Sequence, residues 1–235
     1  MELTAEAKEL YELLYTKSFS ADKLKAALDS VRYDADAVNL AAFRYVEDCS
    51  DESDNDDDLE RVPGVVIPGS ESSHMLEAMQ ILLNHGLDPN RIYIESCTED
   101  FREENNIMSE LRFVDNGYIA ADTLALLLEH GGDPSLKLND ASLIRDINFD
   151  LVFDLYEIPL RFHYDALVHY WMVMVGYGAR LEKGEPTVDP CKGFDIAELK
   201  NHRNYYYGAI ESDRSGDHME ICFFDKRTNL EVARF

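Results

Sequence analysis

Histidine is the side chain whose ordinary pKa best suits it to bind a metal or move a proton near neutral pH. The chain has seven: His74, His85, His130, His163, His169, His202 and His218. No two stand four residues apart on a helical pattern, and no HExxH occurs, so no metal pair is predicted. Asp54, Asp56 and Asp58 alternate as a calcium loop begins, but Leu59 stands where that loop needs glycine and Val65 where it needs a bidentate glutamate. There is no phosphate-binding glycine loop, no dinucleotide fingerprint and no GxSxG. Carboxylates are so common that no single pair marks an acid–base site. The expectation is a non-catalytic chain with no metal and no cofactor. The enzymatic alternative is a pocket beside the C-terminal segment, lined by His163, His169, Trp171 and Tyr205.

Charge narrows the partner. The chain has 235 residues with 22 basic and 47 acidic side chains, a formal net charge of −25. Nucleic acid and anionic membrane are disfavoured, because both require a basic surface. Residues 191–235 hold 7 basic and 8 acidic side chains, so almost all of the excess lies before them. It peaks at Glu47 to Glu60, with nine acids and no base. Asp54, Asp56, Asp57 and Asp58 in that run, with Glu99, Asp100, Glu103 and Glu104, are the candidate partner-binding residues. The implied partner is a basic protein. The N-terminus lacks the pattern of a signal peptide, and the scattered Cys49, Cys97, Cys191 and Cys222 form no CxxC. A cytoplasmic protein with reduced thiols is expected.

The elements that must carry these residues repeat. LLNHGLDPN (residues 82–90) and LLLEHGGDPSL (residues 126–136) are near copies, with Gly131 standing 45 residues after Gly86. In each, an apolar run supplies the last buried turn of a helix, glycine can take the left-handed cap conformation, and Asp-Pro stops the helix. Upstream of Gly131, Ala120, Leu124, Leu127 and Leu128 share one helical face; upstream of Gly86, Leu76, Met79 and Leu83 do so. A worn third copy places Gly178 47 residues after Gly131, behind a helix over His163 to Tyr177 that is apolar on nearly every side. A shorter helix precedes each long one, at Ile107 to Val114, at Leu143 to Tyr156, and near Val65. Towards the N-terminus, Leu3, Ala7, Leu10 and Leu14 form one stripe, and Ser20 can cap a helix carrying Leu24, Ala27 and Leu28. Gly86, Gly131 and Gly178 are therefore read as structural helix caps.

These phrases resemble ankyrin repeats of a degenerate, bacterial type, whose helix–helix–loop unit ends in a phrase like His-Gly-Ala-Asp-Pro-Asn. His85 to Asn90 and His130 to Pro134 carry the likeness; Tyr177-Gly178-Ala179 carries it more faintly. Two features depart from that family: the spacing of 45 and 47 exceeds its roughly 33 residues, and its Thr-Pro-Leu-His helix start is absent. The resemblance implies a mainly α solenoid of stacked helix pairs over residues 1–190, clearest at 65–183, that recognises another protein.

After Pro190 the pattern changes. Asp195-Ile196-Ala197-Glu198 looks like a capping box opening a short helix. NYYYGAIES, HMEICFFD and LEVARF then read as a three-strand antiparallel meander, with Met219, Ile221 and Phe223 on one face. Residues 191–235 are expected to cap the last repeat. The whole reads as an acidic protein–protein interaction scaffold, one form of which is an inhibitor or immunity protein against a basic toxin or nuclease.

Overall fold

The computed structural model describes residues 3–16, 18–30, 33–51, 74–98, 101–114, 116–145, 147, 151, 161–180, 187–211 and 219–235. It is mostly helical, with a C-terminal antiparallel sheet. The helices are α1 (Ala5–Leu14), α2 (Ala21–Ser30), α3 (Ala35–Asp51), α4 (Met75–Leu83), α5 (Ile107–Glu110), α6 (Gly117–Glu129) and α7 (Arg161–Gly176). Local chemistry fixes their starts. The Thr4 hydroxyl accepts from the Ala7 N–H at 3.1 Å, the Asp34 carboxylate from Ala37 at 2.7 Å, and the Asn116 side chain from Ile119 at 3.2 Å. Each satisfies an N–H that the first helical turn leaves unpaired.

The helices lie in two rows. In one, α2 packs on α4, α4 on α6, and α6 on α7; in the other, α1 packs on α3 and α3 on α5. Between the rows a single apolar core runs from Ala7, Leu10 and Leu14 through Met75, Leu82, Leu124 and Leu127 to Trp171 and Phe223. The buried face of α6 contains the expected Ala120, Leu124, Leu127 and Leu128. That of α4 is rotated from expectation. Met75, Ala78, Met79, Ile81 and Leu82 are buried, while Leu76 is 41% exposed and Leu83 only partly covered. Helix α7 has neighbours on all sides, and every residue from Leu167 to Val175 is buried. Of the expected Leu143–Tyr156 helix, Leu143, Ile144, Ile147 and Leu151 are buried; its remaining residues beyond Arg145, and the segment near Val65, lie outside the described residues.

The three long helices end alike. Gly86, Gly131 and Gly178 have φ of +99°, +98° and +88°. Around each, the residue after glycine donates its N–H five residues back: Leu87 to the Leu82 carbonyl, Gly132 to Leu127, and Ala179 to Met174, all at 3.0 Å. The glycine N–H bonds three residues back, to Leu83, Leu128 and Val175. This paired pattern closes a helix and demands a left-handed residue at its centre.

Two hairpins interrupt the helices. Strand β1 (Ile92–Thr98) pairs antiparallel with β2 (Phe101–Asn106), in a region expected to be loop. Strand β3 (Lys137–Leu138) pairs with β4 (Ala141–Ser142) through Asn139 and Asp140, both at positive φ, as a tight two-residue hairpin requires. The C-terminal sheet has four strands rather than three: β5 (Asp189–Pro190), β6 (Tyr205–Glu211), β7 (Met219–Asp225) and β8 (Glu231–Arg234), in the order β5-β8-β7-β6. The added strand precedes residue 191 and pairs Asp189 with Arg234. Asp195 accepts from Ala197, but it opens a 3-10 turn, Ile196–Lys200, rather than an α-helix.

The sheet is clamped to the helices. Trp171 stacks on Phe223 at 5.6 Å and tilts against Phe235 at 4.6 Å. Helix α7 meets the 3-10 turn so closely that a Cβ on Gly176 would stand 2.2 Å from the Lys200 backbone nitrogen. At Gly131 an added Cβ meets nothing within 4 Å. The two glycines are therefore required for different reasons, one for backbone conformation and one for space. Gly131→Val should lose about 1–2 kcal/mol through left-handed strain. Gly176→Ala should lose about 2 kcal/mol or more by overpacking. Denaturant unfolding of both variants checks the pair, and an unchanged Gly176→Ala would show that the sheet is not held that tightly.

Candidate functional site

Of the partner-binding residues predicted from charge, Glu103 and Glu104 fall within the described residues, on β2. Asp54, Asp56, Asp57, Asp58, Glu99 and Asp100 lie outside them. The run that begins at Glu47 is helical as far as Asp51, as the last turns of α3. There Arg44 pairs with Glu47 at 2.6 Å and Asp48 at 3.0 Å, and Tyr11 donates its hydroxyl to Asp48 at 2.5 Å.

The β1–β2 hairpin is aimed by three contacts. Tyr93 is buried and stacks on Phe43 of α3 at 4.1 Å. At the hairpin base the Asn106 side chain donates to the Pro89 and Arg91 carbonyls and accepts from the Met108 N–H. On β2, Glu104 and Asn139 exchange hydrogen bonds: the Asn139 N–H donates to the Glu104 carboxylate at 3.0 Å, and the Glu104 N–H to Asn139 Oδ1 at 3.2 Å. The register sets Ile94 opposite Glu104 and Tyr93 opposite Asn105. Ile92 and Ile94 share the side away from Tyr93 and are 37% and 49% exposed.

Glu110, at the foot of this hairpin on α5, is half-buried. Burial and the neighbouring Glu47 push its carboxyl up to about 7, with Glu103 acting in the same direction; Arg112 and the Ser109 hydroxyl oppose them without cancelling the effect. Acids from three elements, α3, β2 and α5, thus act together on Glu110, while Arg44 pairs with Glu47 and Arg112 partly offsets them.

A second cluster joins α6, α7 and the C-terminal segment. His202 is 3% exposed; its Nε2 lies 3.0 Å from Asp122 Oδ1, and its Nδ1 lies 3.2 Å from Nδ1 of His169. With both rings neutral, Nε2–H of His202 donates to Asp122 and Nδ1–H of His169 donates to His202. Arg203 forks onto the same Asp122 carboxylate through Nε at 3.0 Å and Nη2 at 2.5 Å. The Tyr118 ring lies against His169 at 4.5 Å, with the Arg203 guanidinium and the Lys226 ammonium over it. Burial would raise the Asp122 carboxyl, but the hydrogen bonds from His202 and Arg203 hold it down to about 2. Burial, with His202 and the cations Lys226 and Arg203 nearby, pushes His169 down to about 3.

This Asp–His–His chain has the order of an acid–base relay, but His169, its far end, is only 4% exposed, and no serine, threonine or cysteine is bonded to it among the described contacts. Its evident work is to fasten the C-terminal segment to α6. Sequence reasoning found His169 but not Asp122, or the His202-Arg203 pair 80 residues further on, which share no motif with it. The residues proposed for a pocket do not converge. Trp171 is fully buried against Phe223 and Phe235, Tyr205 is buried edge-on to Phe194, and His169 turns to Tyr118; the His163 side chain lies outside the description. Among the described residues no group of three or more His, Cys, Asp or Glu could hold a metal ion, and no helix is long and apolar enough to cross a membrane. No protein-family model, curated protein or solved structure matches the chain.

The two clusters make opposite demands on pH. Folded Glu110 keeps its proton to about pH 7, whereas the free side chain releases it near 4.5, so its contribution to stability falls as pH rises through that window. Glu110→Gln should therefore gain about 1–2 kcal/mol at pH 8 and little at pH 5. Folded His169 refuses a proton that the unfolded chain takes near 6.5, so its contribution is complete above 6.5 and is lost as pH falls towards 3. His169→Gln should flatten the acid side of the stability profile by roughly 1 kcal/mol per pH unit below 6.5. Urea unfolding of both variants between pH 5.5 and 8 reads both slopes, and parallel curves for wild type and variants would refute both assignments.

Proposed function

We propose that the chain is a non-catalytic protein-binding scaffold of ankyrin-like stacked helix pairs, whose acidic side takes a basic protein partner. The observation that carries this is the shared field of Glu47, Glu103 and Glu110. Burying like charges together costs folding free energy, and a cationic partner that neutralised them would recover it on binding. The repeat architecture has its own support. The Asn39 side chain accepts from the Asp88 N–H at 2.9 Å and donates to the Gly86 carbonyl at 3.2 Å; Asn90 does the same to Asp133 at 2.7 Å and Gly131 at 2.8 Å. Side chains of one unit thus bracket the end of the next in a repeating register, as a solenoid requires. The His85 and His130 rings each bond the carbonyl four residues back, at 2.8 and 2.9 Å, again one pattern used twice. Such a protein would work in the cytoplasm, where the free thiols Cys49, Cys191 and Cys222 stay reduced.

Recognition through an acidic field is an on-rate effect screened by salt. With a partner recovered from source lysate, replacing Asp54, Asp56, Asp57 and Asp58 together by Asn should slow association at low salt several-fold and flatten its salt dependence. Dissociation should change less, because exposed charges contribute little once the complex has formed. Stopped-flow kinetics at two ionic strengths reads both rates. An on-rate unchanged at low salt would reduce the acidic run to a solubility feature.

A further inference from the structure

Among the described residues β1 has one edge without a strand partner, as β6 has at the end of the C-terminal sheet. The inner edge of β1 pairs with β2, and β2 is in turn joined to the β3–β4 hairpin through Glu104 and Asn139. Among the described residues no strand pairs with the outer edge of β1. Folded proteins normally blunt such an edge with lysine, proline or a covering element. Here the strand, IYIESCT, has neither lysine nor proline, and Ile92 and Ile94 stand exposed on one side of it.

We propose that this edge receives an extended segment of the basic partner as an added antiparallel or parallel strand, with apolar and basic residues alternating along it. The alternation follows from the two sides of β1. Residues of the incoming strand beside Ile92 and Ile94 meet apolar surface. Those beside Tyr93 and the position of Glu95 emerge on the opposite side, which is also the side of Glu103, the register partner of Glu95. A cation there stands two strand spacings from β2, about 10 Å, within reach of its charge at physiological salt. Main-chain hydrogen bonds would supply affinity, and the alternating pattern would supply selectivity. The mode rests on the acidic-scaffold reading above but is a narrower claim, and it can fail alone.

The test uses the full chain and three capped synthetic peptides: Lys-Val repeated four times, the same peptide with every second backbone nitrogen methylated, and a block peptide of four lysines followed by four valines. Titration at low salt and amide hydrogen exchange are the readouts. The alternating peptide should bind at least ten-fold tighter than the other two and should slow exchange of the β1 amides that do not pair with β2. Ile94→Lys, at an exposed position, should weaken it by ten-fold or more, while Leu230→Lys, exposed on the C-terminal sheet, should leave it unchanged. Equal binding of all three peptides, with β1 amides unprotected, would overturn strand addition and leave the acidic-scaffold reading standing. Slow exchange along the outer edge of β1 in the free protein would also overturn it, since the edge would then be covered already. Failure of every basic peptide to bind at low salt would count against both.

Discussion

The whole assembly depends on what happens to one carbonyl and one amide at each helix end. A left-handed glycine turns the chain away from the helix, so the Gly86 and Gly131 carbonyls and the following Asp88 and Asp133 N–H groups lie outside the helical ladder. Groups of this kind must find partners when they are covered. Asn39 and Asn90 answer with a single amide each, accepting one hydrogen bond and donating another. An amide can do this because it carries both functions a fixed distance apart. The bracket therefore ties α3 to the end of α4, and the segment after α4 to the end of α6.

This constraint explains which parts of the fold were legible. Glycine after an apolar run, followed by Asp-Pro, is backbone physics with few alternatives, and the phrase repeats; the ends at Gly86, Gly131 and Gly178 follow from residues alone. The hairpin Ile92–Asn106 was not legible. Its β2 strand, FREENN, consists of residues that seldom favour strands, and what holds it is Tyr93 stacked on Phe43 some fifty residues away. The face of α4 was misjudged because its sequence, MLEAMQILL, is apolar enough to satisfy two stripes, and neighbouring helices choose between them. Two-residue β5 has no pattern to read, since its pairing with β8 is decided by the sheet. The acidic residues were legible as charge, but not their placement, because which acids share a field depends on how α3, β2 and α5 meet.

Charge also divides the chain into regions with different tasks. The helical part keeps acids together that repel one another, and Glu110 holds a proton near neutrality as a result. The C-terminal part spends its few cations inward. Arg203 and Lys226 cover Tyr118, Arg203 grips Asp122, and Arg234 joins Glu220 and Glu231. Arg203 thus neutralises Asp122 at the seam between sheet and helices, while Arg234 pairs with acids inside the sheet.

The seam has a further reason to exist. The position four residues after Gly86 is Asn90, the bracket for the next unit; four residues after Gly131 it is Ser135, whose shorter side chain makes no such bridge to Gly178 among the described contacts. The third helix end must be held by other means. Tyr177 donates its hydroxyl to Glu129 at 2.8 Å across α6 and α7, and the Tyr170 hydroxyl reaches back to the Met108 carbonyl. Gly176 lets the Lys200 backbone approach closer than any side chain would permit. Trp171 then fills the space under Phe223 and Phe235. Where the amide bracket stops, aromatic packing and a buried Asp–His–His chain hold α7 and the C-terminal sheet to α6.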